Sequence, residues 1–265
     1  MVVTIDVAHF DALIFDMDGV ITQTASVHAR AWKQIFDEFL ARRAAQTHAA
    51  VAPFDIDDDY RRYVDGKPRV AGALSFLASR GIDLPVGALA DADTAGDATA
   101  NGLANRKDHF FAEILAREGV QAFPAAVALL HDARRHSVRV AVATSSHHCA
   151  EILRVRRLTD LFEVRVDGFD IDRLHLNGKP SPDMFLEAAR RLGVAPPRAV
   201  VFEDATAGVA AGRAGGFGLV IGVGTGAQAG ALLENGADEV VADLGGVSLQ
   251  GTRTLSPQAS GSPLP

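Results

Sequence analysis

Asp16 and Asp18 stand two residues apart, after the apolar run 12–15 and before Gly19. A second carboxylate pair, Glu203 and Asp204, follows the apolar run 199–202. The hydroxyl cluster Thr144-Ser145-Ser146 follows the run 138–143, and Lys179 lies in Gly178-Lys179-Pro180-Ser181-Pro182, after the run 164–166. Carboxylates gathered without Cys or His favour a hard, oxygen-seeking cation such as Mg²⁺. Lysine and hydroxyl groups hold phosphate oxygens. A carboxylate can attack phosphorus and form an aspartyl phosphate. Its own charge repels a phosphate dianion, so the electrostatics demand both the cation and Lys179. Residues i and i+2 point to the same side of an extended strand. One of Asp16 and Asp18 can therefore attack while the other moves a proton. Asp-x-Asp-Gly also opens calcium-binding loops, but these need Gly at the sixth position and Glu at the twelfth. Counted from Asp16, those positions hold Ile21 and Val27.

The elements that position these groups follow from the apolar pattern. The runs at 12–15, 138–143, 164–166, 199–202, 219–223 and 239–242 have the length and Val content of strands buried on both faces. Helical patterns occupy 124–135, 149–155, 182–192, 206–214 and 227–235 between the later runs. This alternation predicts βαβ units and an α/β fold with a Rossmann-like parallel sheet. Sites in such sheets form beyond the carboxyl ends of the strands, where the four chemical clusters lie. Residues 26–112 contain no convincing strand. HARAWKQIFDEFLARRA, VAGALSFLASRG and LANRKDHFFAEILAREG instead carry apolar residues at helical spacing. A helical cap at 26–112 is therefore expected, inserted into a core of residues 1–25 and 113–247. Its linkers, near 22–26 and 112–122, form a hinge over the sheet. Residues 83–102 read as a loop between helices, and GVGTGAQAG at 222–230 as a loop without the acidic partner of a nucleotide motif. Residues 248–265, rich in Ser, Pro and Gly, read as a flexible tail.

Composition removes other classes. The 265 residues carry 26 Lys and Arg against 33 Asp and Glu, a net charge of −7. That leaves no basic field for a nucleic-acid backbone, and an anionic substrate must be gripped by local cations. The single cysteine, Cys149, makes no internal disulfide or Cys-based zinc site. No run of 18 apolar residues predicts a membrane span, and the start lacks the basic region and cleavage site of a secretory signal. A cytoplasmic monomer acting on small molecules is expected, with no nucleic-acid or membrane partner.

Four motifs occur in order: DxDGVxxxT at 16–24, the Thr/Ser cluster, GKPxPD at 178–183 and the final Glu-Asp pair. Together they resemble the haloacid dehalogenase-like superfamily over about residues 10–245. FDMDGVITQTASVHARAWK, YVDGKPR, NRKDHF and GKPSPDMFLEAARRLGV are more narrowly similar to the β-phosphoglucomutase family. The resemblance implies that Asp16 is the nucleophile. It implies that Asp18 is the general acid and base, with its backbone carbonyl on the metal. Asp204 binds Mg²⁺ through its side chain, and Glu203 is a further ligand or supports one. Lys179 and a hydroxyl of Thr144 or Ser145 hold the transferring phosphoryl group. Arg69, Ser146 and Lys107 hold a second phosphate. His28 engages the hexose, and Thr24 steadies Asp18 at the hinge. His148 stands where the family often has Asn at the distal phosphate. The implied reaction interconverts β-glucose 1-phosphate and glucose 6-phosphate by way of bound glucose 1,6-bisphosphate. The alternative is a sugar-phosphate phosphatase of the same superfamily, linked to trehalose or maltose metabolism.

Overall fold

The computed structural model of the chain describes residues 2–48, 52–92 and 98–252. Its eight strands are β1 (Val3–Asp6), β2 (Ala12–Phe15), β3 (Arg139–Ala143), β4 (Val164–Val166), β5 (Ala199–Glu203), β6 (Leu219–Val223), β7 (Glu239–Val241) and β8 (Val247–Gln250). Strands β2 to β7 form one parallel sheet in the order β4-β3-β2-β5-β6-β7. From β2 the chain runs outward one way to β3 and β4, then returns to β5 and runs the other way. The order thus reverses at β2, which opens a crevice at the carboxyl ends of β2, β3 and β5.

The sheet is buried on both faces because its strands alternate apolar side chains between two clusters. Leu13 and Phe15 of β2 join one cluster, and Ala12 and Ile14 the other. Phe15 and Phe202 stack at 4.5 Å on the first face. The helices α4 (Pro124–Arg135), α5 (Cys149–Val155), α6 (Gly168–Leu174), α7 (Asp183–Leu192), α8 (Thr206–Ala214) and α9 (Gly226–Glu234) accompany the later strands. Cys149 is buried at the start of α5 as a packing residue. Among the described residues no helix is long and apolar enough to cross a membrane.

Between β2 and β3 lie α1 (Ala25–Thr47), a short π-helix (Tyr60–Val64), α2 (Arg69–Ser79) and α3 (Ala100–Glu118). They enclose a third cluster of their own, in which Phe76 packs against Phe36 and Phe54. α3 serves both bodies. Leu103 and Ala104 sit in this third cluster, whereas Phe111 and Ile114 join the cluster of the sheet. The division expected between 112 and 113 therefore falls inside a helix, and the second crossing of the chain lies at 119–122. The two crossings are tied together: Gln23 N–H donates to Gln121 O at 2.8 Å, and Phe123 N–H to Ile21 O at 2.9 Å.

Three expectations need correction. Residues 248–250 belong to β8, not to a tail. Val247 and Leu249 pair in parallel register with Val3 and Ile5 and bury their side chains in the first sheet cluster. Four alternating residues are too short a signal beside the Ser- and Pro-rich sequence that follows, and the partner strand is about 240 residues away. The tail residues 253–265 lie outside the described residues. The stretch 83–102 ends earlier than expected, because Thr99 accepts a hydrogen bond from Gly102 N–H at 3.0 Å and starts α3 there. Finally, most of GVGTGAQAG is ordered, as the end of β6 and the first turns of α9.

Leu249→Ala is expected to lower the unfolding free energy by about 2 kcal/mol, read by urea denaturation. No change would mean that β8 contributes nothing to the core.

Candidate active site

The crevice at the strand ends holds the first group of carboxylates. Asp16 immediately follows β2, and Glu203 ends β5 with Asp204 next to it. Lys179 is fully buried between two of them. Its Nζ donates to Asp16 Oδ1 at 2.5 Å and to Glu203 Oε2 at 2.7 Å. The loop that carries Lys179 is pinned at the start of α7. Asp183 accepts from Ser181 Oγ at 2.6 Å and from Asn177 N–H at 2.9 Å. Asp16 Oδ2 accepts from Asp18 N–H at 2.8 Å, which fixes the turn after the strand.

Burial and the adjoining carboxylates set the charges here. Burial, and then the charge of Asp16, push Glu203 up to about 8. Burial also raises Asp16, although Lys179 opposes it, and raises Asp204 well above the carboxylate range with Asp65 and Glu203 adding to the effect. The carboxylates outnumber the ammonium among them. Burial opposes the charge of Lys179, yet Asp16 and Glu203 outweigh it and hold its proton firmly.

One ligand oxygen from each of Asp16, Glu203 and Asp204 lies within 4.8 Å of the others. This all-oxygen donor set, crowded with negative charge, fits a hard divalent cation such as Mg²⁺. The carboxylate of Asp18 is outside that set and is held by other groups. Its Oδ1 accepts from the Thr24 hydroxyl, its Oδ2 accepts from Thr144 Oγ1 at 3.3 Å, and His28 Nε2 lies 3.5 Å from Oδ1. Burial alone would raise Asp18, but the adjoining His28 and the Thr24 bond outweigh it and hold it at about 2. His28 is itself driven towards its neutral form by burial and by the Lys107 cation.

The helical body closes the cleft from above. Ser145 Oγ donates to Gly66 O at 3.2 Å, and the Gly66 turn packs against Ala205. Ser146 Oγ accepts from His148 N–H at 3.2 Å, and Thr144 Oγ1 accepts from Ser146 N–H at 3.1 Å. Lys107 Nζ sits 2.6 Å from His28 Nδ1 and over the rings of Trp32 and Phe111. Burial pulls its ammonium down to about 8. Arg69 donates to Asp108 Oδ2 at 3.2 Å, and His148 Nε2 lies 3.1 Å from Asp108 Oδ1. The cleft encloses about 610 Å³ including its open mouth.

Of the residues expected from sequence, Asp16, Asp18, His28, Arg69, Lys107, Thr144, Ser145, Ser146, Glu203 and Asp204 line this cleft. Lys179, Thr24 and His148 stand behind the lining, and each reaches it through a bonded neighbour. Tyr60, Asp65, Lys67 and Asp108 also line the cleft and were not anticipated. Burial, followed by the charge of Asp16, raises Asp65 to about 7, although the adjoining Tyr60 side chain opposes this. Asp65 and Lys67 sit in YVDGKPR and Asp108 adjoins Lys107 in NRKDHF, so both motifs carried a signal. Tyr60 carried none. Gln228 was also missed; its Nε2 donates to Asp204 O at 2.8 Å from the first turn of α9.

A family model for haloacid dehalogenase-like hydrolases matches residues 10–216. The chain belongs to this family. Within it, the chain is 46% identical over 236 residues to a beta-phosphoglucomutase of Mycobacterium bovis, covering 88% of this chain and 89% of that one. It is 31% identical over 238 residues to a phosphorylated carbohydrates phosphatase of Thermotoga maritima, covering 87% and 94%. The beta-phosphoglucomutase structure from Clostridium difficile superposes with a TM-score of 0.67 over 89% of this chain and 92% of that one, at 22% identity, and so shares the fold. These family relatives carry both mutase and phosphatase names.

Gly19 has φ +88°, and a Cβ built on it would lie 1.8 Å from Asp204 Oδ2. Gly19→Ala should therefore displace Asp204 and weaken divalent-cation binding about 10–100-fold, read by Mn²⁺ and Mg²⁺ titration calorimetry beside an unchanged far-ultraviolet spectrum. Undiminished binding would remove Asp204 from the cation site.

Proposed function

We propose that this protein is a Mg²⁺-dependent phosphoryl-transfer enzyme that interconverts β-glucose 1-phosphate and glucose 6-phosphate through glucose 1,6-bisphosphate. The observation that carries the reading is a cleft with two unlike ends. One end has the carboxylates around Lys179, and the other has Arg69, Lys107 and His148. A sugar with a phosphate at each end matches that layout. The 46% identity to a beta-phosphoglucomutase supports it.

In this reading Asp16 is the nucleophile. Bound beside it, Mg²⁺ would be held by Asp16, Glu203, Asp204 and the backbone carbonyl of Asp18, and would supply charge neutralisation for the incoming phosphoryl group. Lys179 holds the phosphoryl oxygens and screens Asp16. Thr144 and Ser145 stand at the end of β3 to donate hydroxyl hydrogen bonds to the same group. With the phosphoryl group carried on Asp16, the sugar hydroxyl attacks phosphorus and the bond from Asp16 to phosphorus breaks, while Asp18, an ionised carboxylate, takes that hydroxyl's proton. It later returns that proton to the leaving oxygen. Thr24, Thr144 and His28 keep its two oxygens in place for both steps. His28 also carries Lys107 towards the sugar. Arg69, Lys107, Ser146 and His148 receive the second phosphate. With the helical body closed over the sheet, water is excluded and sugar accepts the phosphoryl group.

A sugar-phosphate phosphatase uses the same Asp16, Asp18, Lys179 and Asp204, with water as acceptor. The 31% identity to a phosphorylated carbohydrates phosphatase keeps that reading in the test. Protein incubated with Mg²⁺, β-glucose 1-phosphate and a trace of glucose 1,6-bisphosphate should form glucose 6-phosphate in large excess over free phosphate. Phosphate in excess would replace the mutase by the phosphatase. Asp16→Asn should abolish turnover, and near-normal turnover would remove the phospho-Asp16 route.

A pH profile tests the distal end separately. Lys107 is charged below about pH 8 and neutral above it. The KM for glucose 6-phosphate should therefore rise above pH 8 as that cation is lost, and Lys107→Met should flatten this limb. A limb unchanged in the variant would separate Lys107 from substrate phosphate.

A further inference from the structure

Asp108 is an anion placed among the cations that the proposed function gives to a second phosphate. Arg69, the first residue of α2, donates to its Oδ2 at 3.2 Å, and His148, just after β3, lies 3.1 Å from its Oδ1. Burial alone would raise Asp108, but the His148 bond and the charges of Lys107 and Arg69 hold it at about 2. It is therefore a carboxylate at any neutral pH and can only accept, so His148 Nε2 carries the shared proton. The Asp108 side chain is about a quarter exposed and lines the cleft. Of the other lysines that line the cleft, Lys107 is turned to His28 Nδ1 and Lys67 donates to Ser75 Oγ at 2.9 Å. Each basic group at this end already has a partner from the chain itself.

We infer that Asp108 is a specificity-determining residue of the distal end: its carboxylate is the resident anion of the Arg69–His148 pair, and a ligand is held there when it brings a dianion able to replace a carboxylate. The inference rests on the distal end being an anion site, as proposed above, and not on which reaction follows. A phosphate monoester carries nearly two charges and three acceptor oxygens, against one charge and two oxygens for Asp108. Arg69 can take such a group with two parallel N–H donors. The exchange leaves Arg69 and His148 paired throughout, so no cation is stranded in the half-buried cleft. The net gain is then the difference between dianion and carboxylate. Singly charged groups, such as the carboxylate of a sugar acid, gain almost nothing over Asp108 and are rejected.

The test is anion binding to the full chain without divalent cation, so that no metal recruits anions to the carboxylate end. Sulfate, a dianion of phosphate shape, and acetate are titrated at constant ionic strength, and binding is read from the rise of the unfolding midpoint. Asp108→Asn and Asp108→Ala should each bind sulfate about three- to tenfold more tightly. They should gain more for acetate than for sulfate, so that dianion selectivity falls. Arg69→Ala should lose sulfate binding, which assigns the signal to this end. Unchanged or weaker sulfate binding in both Asp108 variants would overturn the inference, because a carboxylate that merely orients Arg69 and His148 gives that result. Sulfate binding insensitive to Arg69→Ala would overturn it as well. The mutase reading is judged separately by sugar product, so a phosphatase outcome leaves these arms standing.

Discussion

Lys179 lies fully buried against Asp16 and Glu203, with Asp204 and Asp65 close by, and the rest of the molecule follows from that crowding. These charges meet in a buried place, so their repulsion is poorly screened. A single ammonium cannot balance the group, which is why burial and mutual repulsion lift several of these carboxylates. Such an arrangement holds only if the backbone fixes each group independently. The parallel sheet does this by ending β2 and β5 side by side, in register from Ala12 with Ala199 to Phe15 with Phe202. The stacked Phe15 and Phe202 beneath stop the two strand ends from spreading apart. Gly208 on α8 completes the fit, since a Cβ there would meet Glu203 Oε2 at 2.1 Å.

Asp18 illustrates how one turn separates two carboxylates of identical chemistry. Both follow the same strand, yet Asp16 faces Lys179 and the cation-binding oxygens, while Asp18 faces hydroxyl groups and an imidazole. Burial dominates the first and raises it, whereas the charge interaction with His28, joined by the His28 and Thr24 bonds, outweighs burial at the second and lowers it. Opposite shifts in neighbouring carboxylates are the mark of divided labour. The His28–Lys107 contact extends this second environment into the helical body, so Asp18 and Lys107 share one chain of contacts.

The sheet and most of the site were legible because their signals are local. Short Val-rich runs mark doubly buried strands, and the chemical residues sit directly after them in sequence. DxDG and GKPSPD name their own turns, Gly19 by its positive φ and Asp183 by capping the Lys179 loop. What escaped was set by contacts distant in sequence. β8 exists because Val247 and Leu249 find Val3 and Ile5 at the other end of the chain. Gln228 supports Asp204 from a helix start that reads as a glycine-rich loop. Asp108 resembles any solvated acid on α3 until Arg69 and His148 are brought to it from two other elements. Tyr60 gains meaning only when the π-helix turns it towards Asp65.

The two bodies are joined by contacts of unlike kind, and this decides what can move. The helical body keeps its own apolar cluster around Phe36, Phe54 and Phe76, and the sheet keeps two others. Across the cleft the ties are mainly polar: Ser145 to Gly66 and His148 to Asp108, with Gly178 and Ala205 giving small surfaces for Pro68 and Gly66 to rest on. Breaking such hydrogen bonds costs about 0.5–1.5 kcal/mol each, because water replaces the lost partner. Parting the apolar clusters would cost far more, since each buried side chain contributes about 1.5–3 kcal/mol. Val27 and Ala31 of α1 and Phe111 and Ile114 of α3 lie in the first sheet cluster, however, so the near ends of these helices are anchored and the polar ties beyond them part most cheaply. Asp16, Glu203 and Asp204 around Lys179 lie on the sheet side of the cleft with His148, and Asp65, Arg69 and Lys107 lie on the helical side, so parting the polar ties separates the two sets of groups.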